Sequence, residues 1–358
     1  MLNIEILGGV GEYGRNCFFI EKEGRAILLD CGVMNNPQKT LPNLTEAHVA
    51  KLEAVFISHS HIDHVGAIPL LEKWGYKGPI IMSDMTAQQL KLAFPNISIF
   101  HPESNGEWII VNKDVAYQWG YSGHLIGSVW YKIRFLEKML FYTGDYVVDS
   151  YLLKATLPVE DGTIYDVAFI DSGHVEKQIN NIQTLQQIME YISAHPAQSF
   201  IFPSSFSGKT VDIAAYLHQH THKTLHIDQD FVSLFEQYDK ATENLLNTNI
   251  PSVKQQCLPK SASLGDVYFV PDRDKSRLLE LLQKIPKAIV IFTGYWHKNN
   301  YEMIFPKTQY KEFFYKTHPD YHDILTLSKK IHAQTTIYFH SSFTNIETTF
   351  LTLLKNEE

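Results

Sequence analysis

The sequence predicts an α/β protein in which layered β-sheets are covered by helices. Three observations support this fold class. Short segments rich in aromatic and β-branched residues fill the first half of the chain, helix-like segments are interspersed among them, and longer helical stretches follow in the second half. The length of 358 residues accommodates two domains, or one large core that carries an insertion.

The first half is predicted to consist mainly of strands. Glycine-rich turns at 8–14 and 31–32 separate the first ones, and a short helix closed by Gly75 follows the fourth. In chain order, the predicted strands are LNIEIL, NCFFIE, AILLD, LEAVFISH, PIIMS, VAYQWG, VWYKIRF, KMLFYTG and VAFIDSG.

The second half alternates helices with fewer strands. Helical spacing covers residues 176–193, 210–222 and 229–247, and a last helix, DILTLSKKI, leads into the strand TTIYFH. Between these helices, SFIFPSS and KAIVIFTG are predicted to be buried strands.

Composition excludes several classes of protein. Hydrophobic residues make up 44% and charged residues 20%, which is typical of globular proteins and excludes a disordered chain. The sequence contains no apolar run of about 18 residues, so we expect no membrane span. The first residues lack the pattern of a signal peptide, and three cysteines without a pairing pattern fit a reducing compartment. We therefore expect a cytoplasmic protein.

The net charge of −8 argues against a general polyanion-binding protein, but the charge is unevenly distributed. Residues 251–358 contain 14 Lys and Arg against 11 Asp and Glu, which is a local net charge of +3. The composition therefore permits a nucleic acid to dock on the later part of the chain.

The strongest functional signal is the segment Ser-His-Ser-His-Ile-Asp-His at 58–64, directly after a predicted strand. Its three histidines and one aspartate can reach two adjacent ions if the chain bends at the end of the strand. Imidazole suits zinc, and a carboxylate can complete each site or hold a water. Two later residues fit the same site: His124 in a glycine-flanked turn, and Asp145 at the end of a strand.

This pattern resembles the metallo-β-lactamase superfamily, in which a strand ending in Asp-x-Gly precedes H-x-H-x-D-H, a distant His and a distant Asp. Asp30-Cys31-Gly32, the segment 59–64, His124 and Asp145 match in order. LGGVGEYGRN is similar to the opening of bacterial ribonuclease J, and GHLIGS with LFYTGD is similar to the cleavage-factor nucleases. Both groups belong to the β-CASP branch, which acts on nucleic acids and carries an inserted second domain.

The β-CASP branch has three additional motifs, and each has a candidate in this chain. Asp171 ends a strand in AFIDSG, His318 stands where the branch has a histidine at a helix start, and His340 in IYFHSS stands where it has a histidine after the last strand. Taken alone, His340 is better explained as a packed, hydrogen-bonded residue. The resemblance instead makes it a metal ligand.

The resemblance implies a metallo-β-lactamase αββα sandwich with an inserted α/β β-CASP domain. Residues 1–175 would form the first part of the sandwich, 176–300 the insertion and 301–358 the completion of the sandwich. Two Zn²⁺ ions per chain are implied, with Asp145 bridging them. The implied ligands are His59, His61 and His124 for one ion and Asp63, His64 and His340 for the other.

The implied function is that of a zinc-dependent ribonuclease. It would hydrolyse RNA phosphodiester bonds in the interdomain cleft with a hydroxide activated by both metals. Asp63, Asp171 and His318 are the predicted catalytic residues, and His318, oriented by Asp171, would act as general acid on the leaving 3′ oxygen. Single-stranded RNA is favoured over DNA because RNA-processing relatives keep a histidine at the position of His340, where the DNA-repair group tends to valine.

The segment PSSFSGKT at 203–210 resembles a nucleotide-binding P-loop, but Pro203 replaces the first glycine that the phosphate cradle requires. Either Ser204, Ser205 and Lys209 present a helix N-terminus to an RNA phosphate, or they form a solvated turn. Trp296 either stacks on a base or packs.

The chain departs from the β-CASP pattern at 316–317, where Lys-Thr replaces Ser-Gly, and at Phe314, where ribonuclease J has an additional histidine. Because it ends soon after His340, we do not expect the ribonuclease J mode of dimerisation, while another homo-oligomer stays open. Two other functions also stay open. One is a small-molecule metallo-hydrolase for a thioester or lactone, and the other is a catalytically weak β-CASP subunit of a nuclease complex.

Overall fold

The computed structural model describes residues 2–90, 96–241, 246–247, 265–294 and 310–342. The chain folds as two compact units. The first unit comprises Met1–Val148, Ala155–Gln178 and His318–Glu358, and the second comprises Asp149–Lys154 and Ile179–Thr317. The domain boundaries expected from the sequence, after 175 and after 300, stay a prediction.

The described strands are numbered in chain order. They are β1 (Asn3–Gly8), β2 (Cys17–Lys22), β3 (Arg25–Leu29), β4 (Leu52–Phe56), β5 (Ile80–Ser83), β6 (Ile97–Phe100), β7 (Ile109–Ile110), β8 (Val115–Tyr121), β9 (Val129–Phe135), β10 (Lys138–Tyr142), β11 (Tyr165–Asp171), β12 (Phe200–Ser204), β13 (Leu225–Ile227), β14 (Val267–Pro271), β15 (Ile289–Phe292), β16 (Tyr310–Glu312) and β17 (Ala333–Phe339).

The described α-helices are numbered in the same way. They are α1 (Glu46–Val49), α2 (Ile62–Val65), α3 (Ile68–Lys73), α4 (Asp84–Leu90), α5 (Asn181–Ala194), α6 (Gly208–His220), α7 (Val232–Asp239), α8 (Lys275–Lys284) and α9 (Tyr321–Lys330). Within the residues that the structure describes, no helix is both long enough and apolar enough to span a membrane.

The first unit contains two six-stranded sheets. One has the order β1-β2-β3-β4-β5-β6, antiparallel from β1 to β3 and parallel from β3 to β6. The other has the order β17-β11-β10-β9-β8-β7, and its strands β10, β11 and β17 are parallel to one another. The carboxyl ends of these three strands therefore meet at one edge of the second sheet.

Aromatic side chains pack the two sheets face to face. The ring of Phe18 in β2 lies 5.0 Å from that of Phe169 in β11, and the ring of Phe56 in β4 lies 5.3 Å from that of Tyr131 in β9. The Tyr131 hydroxyl also donates a 2.7 Å hydrogen bond to the carbonyl of Ile57, which links the second sheet to the chain just after β4. Side chains on successive strand residues point to opposite faces, so the neighbours of Phe18 face outward.

Helices cover the outer faces of this sandwich. Val65 of α2 and Ile68 of α3 pack in one cluster with Phe19 of the first sheet. Ile324 of α9 packs with Phe141 of the second sheet. This order of helix, sheet, sheet and helix confirms the predicted αββα sandwich.

The second unit contains a five-stranded sheet with the order β13-β14-β12-β15-β16, in which every neighbouring pair is parallel. Leu278 and Leu281 of α8 pack against Ile201 and Val290 on one face. A parallel sheet with helices is the arrangement expected for an inserted α/β domain.

The helix predicted at 229–247 is shorter than expected. A single 3₁₀ turn at Gln229–Phe231 leads into α7, which ends at Asp239. Further on, Leu246 pairs with Leu153 in an isolated β-bridge, and the backbone N–H of Asn247 bonds to the carbonyl of Leu152 at 2.6 Å. Tertiary pairing therefore takes the place of helix at 246–247.

Candidate metal centre

Strand ends of the first unit position the candidate ligands. The chain leaves β4 through residues 57–61, and α2 begins directly after His61, which is the N-cap. In the second sheet, Asp145 follows β10, Asp171 ends β11 and His340 follows β17. Because these three strands are parallel, their ends bring residues that are far apart in sequence to the same edge.

One group of candidate ligands combines three histidines with an aspartate. His59, His61, His124 and Asp145 each offer one ligand atom within 4.8 Å of the others. The Nε2 of His124 lies 3.1 Å from the Nδ1 of His61. His59 is fully buried, and no described atom forms a hydrogen bond with its Nε2. Burial, aided by the nearby His64 ring, holds the pKa of His59 well below its usual value, so this ring is neutral and can bind a cation.

A second group consists of Asp63, His64 and His340, whose ligand atoms also lie within 4.8 Å of one another. The Nε2 of His340 lies 3.1 Å from the Oδ2 of Asp63. His340 has a φ of 63°, which is unfavourable for a residue with a side chain, and its N–H bonds to the carbonyl of Gly9 at 2.7 Å. The neighbouring loop therefore holds the turn that places His340 against Asp63.

Asp145 faces both groups. Its Oδ2 lies 3.5 Å from the Nε2 of His59, and its Oδ1 lies 3.1 Å from the Nε2 of His64. Burial by itself raises the pKa of this carboxyl, but the surrounding imidazoles, His64 first, hold it well below its usual value. Asp145 is therefore ionised, and its position suits a carboxylate shared between two cations.

Polar residues behind the cluster fix the orientation of its rings. Asp30 Oδ2 lies 2.5 Å from the Nδ1 of His64 and accepts a 2.7 Å bond from the Ser58 hydroxyl and another bond from the Tyr142 hydroxyl. The Ser58 hydroxyl also lies 3.0 Å from the Nδ1 of His59. In both His59 and His64 the Nδ1 is within hydrogen-bonding distance of a residue behind the cluster, so the Nε2 is the nitrogen that faces the other candidate ligands.

These features fit a metal site better than a packed polar core. A buried polar core normally satisfies its hydrogen-bonding atoms, whereas the Nε2 of His59 has no hydrogen-bond partner among the described residues. Imidazole nitrogens and carboxylate oxygens together form a donor set that zinc accepts. The first unit thus contains a buried His/Asp cluster of the kind that binds metal.

His318 lies beside this cluster. Its Nδ1 is 3.0 Å from the Oδ2 of Asp171, and its ring centroid is 4.3 Å from that of His340. Asp171 is fully buried and accepts bonds of 2.9 Å from the backbone N–H groups of Tyr146 and Gly173. Asp145, His318 and His340 also form a third group of ligand atoms within 4.8 Å of one another.

Two residues near the cluster were not identified from the sequence. The ring of His174 lies 5.1 Å from that of His318, and the only sequence signal is its position three residues after Asp171. The Nδ2 of Asn16 lies 2.9 Å from the Nε2 of His64, and its backbone N–H bonds to the carbonyl of Asp63 at 2.8 Å. Asn16 belongs to the glycine-rich opening segment.

The predicted substrate-binding residues lie in the second unit. Ser204 ends β12, where its hydroxyl bonds to the carbonyl of Phe202 at 3.1 Å, and the hydroxyl of Ser205 lies 3.0 Å from that of Ser207. Lys209 is in the first turn of α6, partly exposed, and burial lowers its pKa. Trp296 lies outside the described residues. A role for these residues in substrate binding stays a prediction.

Comparison with known families and proteins agrees with this geometry. Residues 10–101 match the model of a family described as the Metallo-beta-lactamase superfamily. The chain is 31% identical over 201 residues to Transcription termination factor FttA of a Lokiarchaeum species and 28% identical over 190 residues to Cleavage and polyadenylation specificity factor 73 of Drosophila melanogaster. It is 21% identical over 418 residues to Endoribonuclease YSH1 of Eremothecium gossypii.

In the same order, these alignments cover 47%, 44% and 93% of this chain but 32%, 27% and 54% of the relatives. The chain thus spans about a quarter to a half of the length of these proteins. Among solved structures, a protein of unknown function from Enterococcus faecalis V583 matches with a TM-score of 0.66 and 12% identity, covering 95% of this chain and 94% of that one. At this identity the likeness concerns the fold alone.

Proposed function

Because the chain belongs to the metallo-β-lactamase superfamily and to its β-CASP branch, we propose that it is a zinc-dependent ribonuclease acting on single-stranded RNA. The observation that carries this proposal is the His318–Asp171 pair at the edge of the His/Asp cluster. A metal cluster alone suits many hydrolases. A carboxylate-held imidazole beside it adds the proton donor that an alkoxide leaving group needs.

We assign the cluster to two zinc ions. His59, His61 and His124 would hold one ion, Asp63, His64 and His340 the other, and Asp145 both, since its two oxygens face the two groups. When bound, two zinc ions would supply an activated water and would neutralise charge on the phosphate.

The side chains of this protein perform the remaining steps. Asp171 holds the Nδ1 of His318, so the ring keeps one orientation and its opposite nitrogen can deliver a proton to the leaving 3′ oxygen. The side chain of Asp63 is 16% accessible, whereas that of its neighbour His64 is inaccessible. We assign Asp63 the second role of accepting the proton of the attacking water.

The turn between β12 and α6 in the second unit supports a contact with the RNA backbone. It contains Ser204, Ser205 and Lys209 beside the N-terminus of α6, and backbone N–H groups at a helix N-terminus attract phosphate. We propose that these residues contact the RNA and that Trp296 stacks on one of its bases. The name of one relative, Endoribonuclease YSH1, supports RNA as the substrate class.

A substrate panel tests the proposed function. Purified protein would be incubated with 5′-labelled RNA, single-stranded DNA of the same sequence and a generic thioester, each with and without a chelator. We expect cleavage of RNA only, loss of cleavage with the chelator and recovery after Zn²⁺ is added back. Consumption of the thioester while RNA stays intact would instead identify a small-molecule hydrolase. A metal-loaded protein that consumes none of the three would be a weak subunit.

A further inference from the structure

The glycine-rich loop at residues 8–16 forms backbone hydrogen bonds with two residues of the second ligand group, His340 and Asp63. The carbonyl of Gly9 accepts a 2.7 Å bond from the N–H of His340, and the N–H of Asn16 donates a 2.8 Å bond to the carbonyl of Asp63. Val10 also pairs with Ser341 in a parallel bridge. The loop is therefore fixed against the metal cluster.

Tyr13 projects from this loop and is 50% exposed, whereas the core tyrosines and tryptophans of the same unit are buried. Its ring centroid lies 6.0 Å from that of His340, with an angle of 75° between the rings. The following residue, Gly14, has a φ of +112°, and a Cβ there would lie 3.2 Å from the Sδ of Met34 and 3.5 Å from the Cβ of Asp63. The glycine therefore lets the loop pass close to Asp63 and leave the Tyr13 ring outside.

Two other rings contact the ring of His340 at the edge of the cluster. The centroid of Tyr13 lies 6.0 Å from that of His340, and the centroid of His318 lies 4.3 Å from it. Among the described residues, the ring contacts of His318 are with His124, His174 and His340 and do not include Tyr13. The exposed half of the Tyr13 ring is accessible to a ligand at the edge of the cluster. Aromatic side chains beside a phosphate-binding site commonly stack on nucleic-acid bases.

We propose that Tyr13 positions the substrate by stacking on the base of the nucleotide that follows the scissile bond. This inference rests on the proposed ribonuclease function and on His318 as the donor to the leaving 3′ oxygen. His318 would then face the nucleotide before the bond, and Tyr13 would face the nucleotide that keeps the phosphate. Stacking does not depend on base identity, so Tyr13 would strengthen binding without imposing a sequence.

The test compares Tyr13→Ala and Tyr13→Phe with the wild-type protein on an RNA that has one mapped cleavage site. Loss of one stacked base weakens binding by about 5- to 150-fold, so we expect KM to rise about tenfold in Tyr13→Ala while kcat changes less than about twofold. Tyr13→Phe keeps the ring and should retain the wild-type KM. Metal content should be unchanged in both variants, which excludes indirect damage to the cluster.

A second arm removes the base instead of the ring. An abasic nucleotide after the scissile bond should raise the wild-type KM as much as Tyr13→Ala does, and the two changes together should cost no more than either alone. An abasic nucleotide before the bond should not show this coupling. The proposal would be overturned if the two increases in KM multiplied when the changes were combined. It would also be overturned if Tyr13→Ala left KM unchanged.

A binding measurement separates this inference from the proposed function. Anisotropy of labelled RNA, with Tyr13→Ala compared in a His318→Ala background that cleaves slowly, reports binding with little turnover. Binding that depends on Tyr13, together with no cleavage of RNA by the protein that retains His318, would reject the ribonuclease proposal alone. Cleavage that is indifferent to Tyr13 would reject the stacking alone.

Discussion

The Nδ1 of His318 lies 3.0 Å from the Oδ2 of Asp171, although 147 positions separate the two residues in the chain. This contact requires a small residue at position 173, just after β11, where the backbone lies against the His318 ring. A Cβ at Gly173 would lie 2.6 Å from the Cγ of His318, so only glycine permits this close approach. The His318 ring is thus held by its contact with Asp171 and by close packing against the backbone at Gly173.

We predict that His318→Ala lowers kcat for RNA cleavage by about 10²–10⁴-fold, because general acid catalysis contributes that much. Metal content should stay at the wild-type value, since each of the two proposed zinc groups is complete without His318. Single-turnover cleavage and metal analysis of the same preparation check this. A variant that cleaves at the wild-type rate would remove His318 from the mechanism.

Gly173→Ala should act through His318. The added methyl group displaces the ring from Asp171, so we expect kcat to fall at least about tenfold with metal content retained. Gly162→Ala is a control for backbone strain alone, because Gly162 has a φ of +75° and a Cβ there has no atom within 4 Å. The assay is cleavage by both variants at saturating RNA. Equal rates for the two would show that the position of His318 does not matter.

Lys209→Ala should weaken RNA binding and make it less sensitive to salt. If the ammonium neutralises one phosphate, the slope of log affinity against log salt concentration should decrease by about 0.7 for single-stranded RNA. Lys287, an exposed lysine of the same unit, provides the control variant Lys287→Ala. Fluorescence anisotropy across a salt series measures both slopes. An unchanged slope in Lys209→Ala would favour the solvated turn instead.

Asp212 predicts a pH dependence of stability. Its carboxyl group is buried in α6, and burial raises its pKa to about 6 from 3.8, although it accepts bonds from Ser150 at 2.8 Å and Tyr315 at 2.5 Å. A folded-state pKa above the unfolded one means that the folded state holds the proton more tightly. Stability from this group is therefore present below pH 4 and is lost as pH rises to 6, by about 3 kcal/mol.

The asparagine side chain in Asp212→Asn cannot ionise, so the variant should lack the pH-dependent part of the stability that Asp212 contributes. Urea unfolding of both proteins between pH 4 and 7 checks the prediction through the difference in free energy of unfolding. We expect the variant to gain about 3 kcal/mol relative to the wild type across this range. Parallel pH profiles would contradict the assignment, because other titrating groups are common to both proteins.

Much of the first unit follows from local sequence patterns. The short apolar runs in NCFFIE and LEAVFIS predict strands, and the dense H-x-H-x-D-H segment predicts metal binding without any knowledge of distant contacts. His340 is different, because a lone histidine after a strand has no local signal. Only the parallel pairing of β17 with β11 brings it beside Asp63, and the sequence pointed to it through family resemblance rather than through physics.

Other features could not be predicted, for physical reasons. Tyr13 and His174 reach the cluster through turns whose backbone conformation depends on tertiary contacts, such as the bond from His340 to Gly9. The helix α7 ends at Asp239, and Leu246 pairs with Leu153 in a bridge that no helical period encodes. In each case contacts between distant parts of the chain override local propensity.

The most direct test of the central claim is the zinc content of His340→Ala. The wild-type protein should bind two zinc ions per chain, and the variant should retain about one while its far-UV circular dichroism stays unchanged. His332→Ala, which changes an exposed histidine just before β17, should keep both ions. Metal analysis by plasma mass spectrometry gives the count. One zinc in His340→Ala supports a two-metal centre closed by the last strand, and two zincs would show that His340 is a packing residue.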